Sequence, residues 1–353
     1  MPGHGRARPG RARVRVSALA ARRGHRVAVI GATGTLGSDV IAVLEEREYP
    51  VAELVPVATD NSLGEEVSIR GESLPVLAGE VSLRAADVAF LCLPPEAAGP
   101  WVRRALQAEV PCIDLTGAMA GVADVPVVAA DLGPPAERLR QPLVVSPPGF
   151  TLAWALALAP LQARFGVARV IGTSLEPASG VGRAGIRALE AEVVALFNQE
   201  EAPESSVFAG PVAFDCVPEL GHPEDAFAPT PAEARLAGLV QALLGAPIPI
   251  AATRVRVPTF SGIGASLAVE LARDAAPEDV RAALLEAPGV ELRDPAALGP
   301  TTRDAAARDQ VLVGRLRRDP TSPRGMLLWL AADPVRLTAT NAVRIAEARL
   351  ALH

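Results

Sequence analysis

The chain reads as an α/β protein: a Rossmann-type dinucleotide-binding domain followed by an α+β domain with a largely antiparallel sheet. Two features carry this reading. The first is a glycine-rich turn between a buried strand and a helix near residue 31, followed by further short apolar runs. The second is a change, past Pro147-Pro148-Gly149, to alternating polar and apolar runs separated by amphipathic helices.

Residues 27–31 form the first buried run, and 39–47 the helix that follows it. Apolar runs at 51–59, 88–93, 110–114 and 125–129 predict four more parallel strands. Residues 151–162 are apolar all round and predict a buried helix. Further helices are expected at 182–198, at 231–244 behind the N-cap Thr230, at 277–285 and at 341–351. Strands are expected at 170–174, 311–316 and 325–331, and alternation at 253–257 and 266–271 suggests antiparallel strands with one polar face. The division that follows is a dinucleotide-binding domain of 26–148 plus 334–353 and a dehydrogenase-like dimerisation domain of 149–333. Residues 1–24, with seven arginines and no acid, are expected to be a disordered extension.

Composition excludes several classes. A net charge of −6 argues against a nucleic-acid-binding body, and no long uncharged apolar run indicates a membrane span. Three scattered cysteines and four scattered histidines support neither a disulfide scaffold nor a metal site, and they suit a reducing cytoplasm. Lysine is absent, which excludes Schiff-base chemistry.

In the glycine turn, Gly31, Gly34 and Gly37 are spaced by three, with Thr33, Thr35 and Leu36 between them. Such a turn lets backbone N–H groups and a helix N-terminus approach a pyrophosphate, although a tight turn without ligand would carry the same glycines. Asp60, slightly late after the second strand, is placed to accept from a ribose hydroxyl. No arginine lies between Pro56 and Ile69 to meet a 2′-phosphate, so NAD is expected over NADP.

From residue 26 onward the chain resembles the aspartate-semialdehyde dehydrogenase family. The resemblance rests on the glycine turn, Ser179-Gly180-Val181-Gly182, Ala213-Phe214-Asp215, Thr230 with its helix, and Arg254 to Pro258. Val313-Gly314-Arg315, Trp329 with Ala332-Asp333, and Asn341 to Glu347 complete it. It implies an NAD(P)-dependent aldehyde dehydrogenase of amino-acid biosynthesis, built as a dimer. Residue by residue, however, the family's nucleophilic cysteine matches Gly149, and its acid–base histidine, seven residues after Arg256, matches Ile263. Glycine cannot attack an aldehyde and isoleucine cannot carry a proton. The glutamine that positions the cysteine matches Glu176, and the substrate-carboxylate arginine matches Arg256. A phosphate-contacting arginine matches Ala120, and of a glutamate and a lysine that the helix after Thr230 offers to the site, the first matches Ala232 and the second is replaced by Arg235. Arg256, Arg235 and Glu176 are thus the candidates for an anion pocket. The pattern is most similar to the family's Usg-type branch, which lacks the cysteine. It implies a silent homologue that keeps nucleotide binding and forms a homodimer, or a heterodimer with an active relative. The competing expectation is an active oxidoreductase with altered chemistry on an aldehyde or oxo donor.

Overall fold

A computed structural model describes residues 24–58, 62, 64–78, 81–202, 207–208, 210–218, 227–293 and 299–352. In chain order the first half contains β1 (His25–Ile30), α1 (Thr35–Glu46), β2 (Val51–Val57), β3 (Glu66–Ile69), β4 (Glu72–Pro75), β5 (Val88–Leu91), α2 (Ala98–Gln107), β6 (Cys112–Asp114), α3 (Ala136–Leu139) and β7 (Leu143–Val145). The second half contains α4 (Gly149–Phe165), β8 (Val167–Glu176), α5 (Gly182–Asn198), α6 (Pro231–Leu244), β9 (Ile250–Arg256), β10 (Ile263–Leu271), α7 (Pro277–Leu285), β11 (Val290–Leu292), β12 (Val311–Arg318), β13 (Gly325–Ala332) and α8 (Pro334–Leu350). Residues 1–23 and Asp60 lie outside the described residues.

The first five-stranded sheet has the order β2-β1-β5-β6-β7 and is parallel throughout. Its strands are short and buried on both faces, which is why they read as continuous apolar runs. The fifth strand is β7, not the 125–129 run. There, Val127 makes a single bridge to Val145, and Val128 donates one hydrogen bond to the Val145 carbonyl. Pro126 cannot donate, so that run accepts at one point and does not continue a ladder.

The second sheet has the order β11-β12-β13-β10-β8-β9. Its centre is antiparallel, with Ala265 opposite Leu330 on one side and Ser174 on the other. β9, expected to be antiparallel, runs parallel to β8, with Glu176 opposite Arg256. Two intervening helices return the chain to the same end of the sheet, which a hairpin could not do. α4, α6 and α7 cover one face, where Ala265, Leu267, Val269 and Leu271 of β10 are buried. This is the apolar face of the alternation at 266–271. The chain covers it itself, and the opposite face is the open one, with Ile171 47% exposed.

α8 is longer than the 341–351 stretch expected from sequence and begins at Pro334 behind the N-cap Asp333. The Asp333 carboxylate accepts from the amides of Val335 and Arg336. Leu337 packs in the core of the second sheet, while Ala339, Ala342, Val343, Ile345 and Ala346 pack in that of the first. Arg336 is nearly buried and joins Glu46 of α1 to Asp309 through charge-assisted hydrogen bonds.

Asp39 of α1 faces this cluster. Burial first, then the neighbouring Asp333 and Glu46 carboxylates, push it up from 3.8 to about 6, against the pull of Arg336. The folded state therefore holds a proton that the unfolded state has released, so stability falls as pH rises from about 4 to about 6 and is flat above. Asp39→Asn is expected to raise stability at pH 7.5 by about 1–2 kcal/mol, discounted for partial exposure. The gain should vanish at pH 3.5. Urea unfolding at the two pH values measures it, and an equal effect at both would refute the assignment.

Candidate functional site

The glycine turn is built by backbone contacts. Gly31 leaves β1 with φ of 90°, and a Cβ there would lie 2.2 Å from the Cys92 carbonyl oxygen. A Cβ at Gly37 would lie 2.1 Å from the Gly31 carbonyl oxygen, so only glycine lets α1 start this close to the strand end. Gly34 is the N-cap of α1 and supplies no side-chain acceptor, which leaves the first-turn amides free for an anion. Thr35 Oγ1 is buried without a partner at the same point. Thr33 exchanges a 3.0 Å hydroxyl–hydroxyl bond with Ser62. These residues fit a dinucleotide pyrophosphate: the amides would hold it and the Thr35 hydroxyl has a donor to spare.

Gly34, Thr35 and Leu36 open onto a cleft of about 700 Å³. The loop Pro94-Pro95-Glu96, the start of α4 at Gly149, and the turn from Ser179 to Ala184 line its other sides. α8 closes the floor through Pro334, Val335 and Thr338. The structure thus brings the glycine turn and the position matched to the nucleophile to one cleft. Ser179 Oγ, in the same lining, is buried and has no partner. Cys92 reaches the cleft too, but burial raises its thiol well above the ordinary value and holds it neutral.

Gly149 is the first residue of α4, and a side chain has no room there. A Cβ would lie 2.0 Å from the Pro334 carbonyl oxygen and 2.5 Å from its Cα. These are backbone atoms at the N-terminus of α8, which cannot rotate away.

The other sequence candidates lie behind or beside the cleft. Glu176, 2% exposed, forms a bidentate pair with Arg254: Nη2 donates to Oε2 at 2.6 Å, and Nε donates to Oε1. The Arg254 guanidinium also stacks on Phe150, 4.2 Å from the ring centroid. Arg256 is buried beneath the Ser179-Gly180 turn. Its Nη1 donates to the Pro177 carbonyl and its Nε has no partner. Burial lowers its pKa, opposed by the Glu176 charge. Arg235 lines a second, smaller cleft of about 400 Å³ with Arg254, Thr116 and Phe150, and donates to the Gly117 carbonyl. Ile263 is buried in the core of the second sheet and does not line either cleft. Sequence reading missed Arg254. Its signal was present, since two residues of strand spacing put it on the same face as Arg256. Among the described residues no group of acids, histidines and cysteines could hold a metal ion.

Residues 26–139 match the family model for the NAD binding domain of semialdehyde dehydrogenase, and residues 158–337 match that for its dimerisation domain. An aspartate-semialdehyde dehydrogenase of Aquifex aeolicus is 32% identical over 92% of this chain and 97% of its own length. A USG-1 protein homolog of Azotobacter vinelandii is 36% identical over 91% of this chain and 96% of its own. The crystal structure of aspartate semialdehyde dehydrogenase II from Vibrio cholerae, 33% identical, superposes with a TM-score of 0.88 over 93% of this chain and 99% of that one.

The Gly149 contact gives a direct expectation. Gly149→Ala, one added methyl against backbone, should cost about 1–3 kcal/mol, read as a lower urea midpoint at unchanged slope. A neutral or stabilising result would show that α8 yields at Pro334.

Proposed function

The chain belongs to the aspartate-semialdehyde dehydrogenase family, and from that premise we propose that it binds a nicotinamide dinucleotide but does not oxidise an aldehyde through a covalent thioester. The observation that carries the proposal is the closed space at Gly149: the position has no nucleophile and no room for one. Ile263 adds that the matching acid–base position is an apolar core residue. Glu176 is committed to Arg254; of the candidate arginines, Arg235 lines the smaller cleft and is the one open to an anion, whereas Arg256 is buried and lines neither cleft. The resemblance to a Usg-type branch agrees with this reading, and a USG-1 homolog is among the relatives. We assign the dinucleotide to 26–148 plus 334–353, and dimerisation to 149–333.

A second reading is an active NAD(P)-dependent oxidoreductase with altered chemistry. Its support is that relatives of 32–33% identity along nearly the whole chain are named as dehydrogenases. The unpartnered Ser179 hydroxyl in the cleft also supports it. A steady-state assay with aspartate semialdehyde, phosphate and either nucleotide separates the two. The first reading expects turnover well below about 1 s⁻¹, a low value for an enzyme; turnover at or above it establishes the second. Calorimetry with the same nucleotides should show NAD bound about tenfold tighter than NADP, a difference of about 1.4 kcal/mol. The reason is that Asp60 would repel a 2′-phosphate. Tighter NADP binding would overturn that charge argument.

The assembly we propose is a homodimer through the open face of the second sheet, with a heterodimer containing an active relative as the alternative. Ile171 on that face, and Val194, Leu196 and Phe197 on α5, are large apolar side chains left about half exposed or more. Phe197 packs edge-on against Phe214 at 5.9 Å. Sedimentation at micromolar concentration should give a dimer, and Ile171→Glu with Phe197→Glu should give a monomer. A monomeric wild-type chain, or a dimeric double variant, would refute the interface.

A further inference from the structure

α8 carries three arginines, and two have acid partners. Arg336 pairs with Glu46 and Asp309, and Arg344 pairs with Asp131. Arg349 has none among the described residues. Its Nη2 donates to the Gln141 carbonyl at 2.6 Å, while Nη1 is buried and has no acceptor. Leaving a charged donor buried and unpaired is costly. Burial lowers the pKa of this guanidinium, with only the Cys112 and Tyr49 groups opposing.

Arg349 lines a groove of about 510 Å³ between the loops that lead into β6 and β7 and the end of α8. Those loops enter the sheet at the N-terminal ends of its parallel strands. The glycine turn leaves from the C-terminal end of β1, so the groove is on the opposite edge of the sheet from the dinucleotide cleft. Its walls are largely apolar: Leu106, Val110, Leu139 and Leu352. Arg140 adds a second cation and Glu109 a single acid, leaving a net positive charge.

We propose that this groove binds a small apolar carboxylate, with the carboxylate on the Arg349 guanidinium and the hydrocarbon along Leu106, Val110 and Leu352. The guanidinium charges of Arg349 and Arg140 beside apolar walls suit a carboxylate carried on a hydrocarbon. A phosphate is less suited, because its extra charge and hydration would be lost against apolar walls.

The test is calorimetric titration of the full chain with sodium hexanoate, with hexanol and inorganic phosphate as controls. Hexanoate is expected to bind at one site, and both controls at least about tenfold more weakly. Arg349→Gln should weaken hexanoate at least about tenfold. Leu106→Glu, at an exposed position, should do the same by placing a carboxylate at the groove, so the result does not hang on one arginine. NAD titration should be unchanged in both variants, which separates this site from the cleft. The proposal is overturned if hexanoate gives no binding up to about 10 mM, if hexanol or phosphate binds as well, or if both variants bind hexanoate like the wild type.

Discussion

The contact between the start of α8 and the start of α4 organises the molecule. The Pro334 backbone sits against Gly149 so closely that no Cβ fits between them. From that point α8 runs with one end in the core of the second sheet and the rest in the core of the first. Asn341 fastens it further, donating to the Val128 carbonyl and to Ser146 Oγ and accepting from the Ala130 amide. A chain that has completed its second sheet is in this way returned to its first. α8 also lines the cleft, through Pro334, Val335 and Thr338.

The same contact bears on two parts of the proposed reading. The pyrophosphate site depends on backbone amides and on glycines whose replacement would collide with carbonyl oxygens, so side-chain change elsewhere leaves it intact. In the proposed reading, the positions matched to a thiol and an imidazole hold a glycine under a helix and an isoleucine in a core. Glu176 and Arg254 illustrate a third outcome. Two charges beside the cleft satisfy each other in a bidentate pair and stack on Phe150, so they shape the wall while offering little free charge to a ligand.

Features with a local physical cause were legible in the residues alone. Glycine spacing after a buried strand specified the turn, because only glycine tolerates that approach. The capping box at Thr230 and Glu233 placed the start of α6, and the sequence placed both ends of α5 and α7. The identities at positions 149 and 263 were equally legible, since a residue that cannot attack or carry a proton is recognised without a fold. Features whose cause is a distant partner emerged with the fold. The 125–129 run has strand composition, yet β7 took the fifth place in the sheet. β9 alternates like an antiparallel strand, but its direction comes from the helices before it. Alternation in β10 marked two faces without saying which one the chain would cover. The closure at Gly149 depends on Pro334, far along the chain, and the lack of an acid partner for Arg349 among the described residues depends on which acids reach α8. Periodicity records the geometry of one element, whereas burial, pairing and access arise where elements meet.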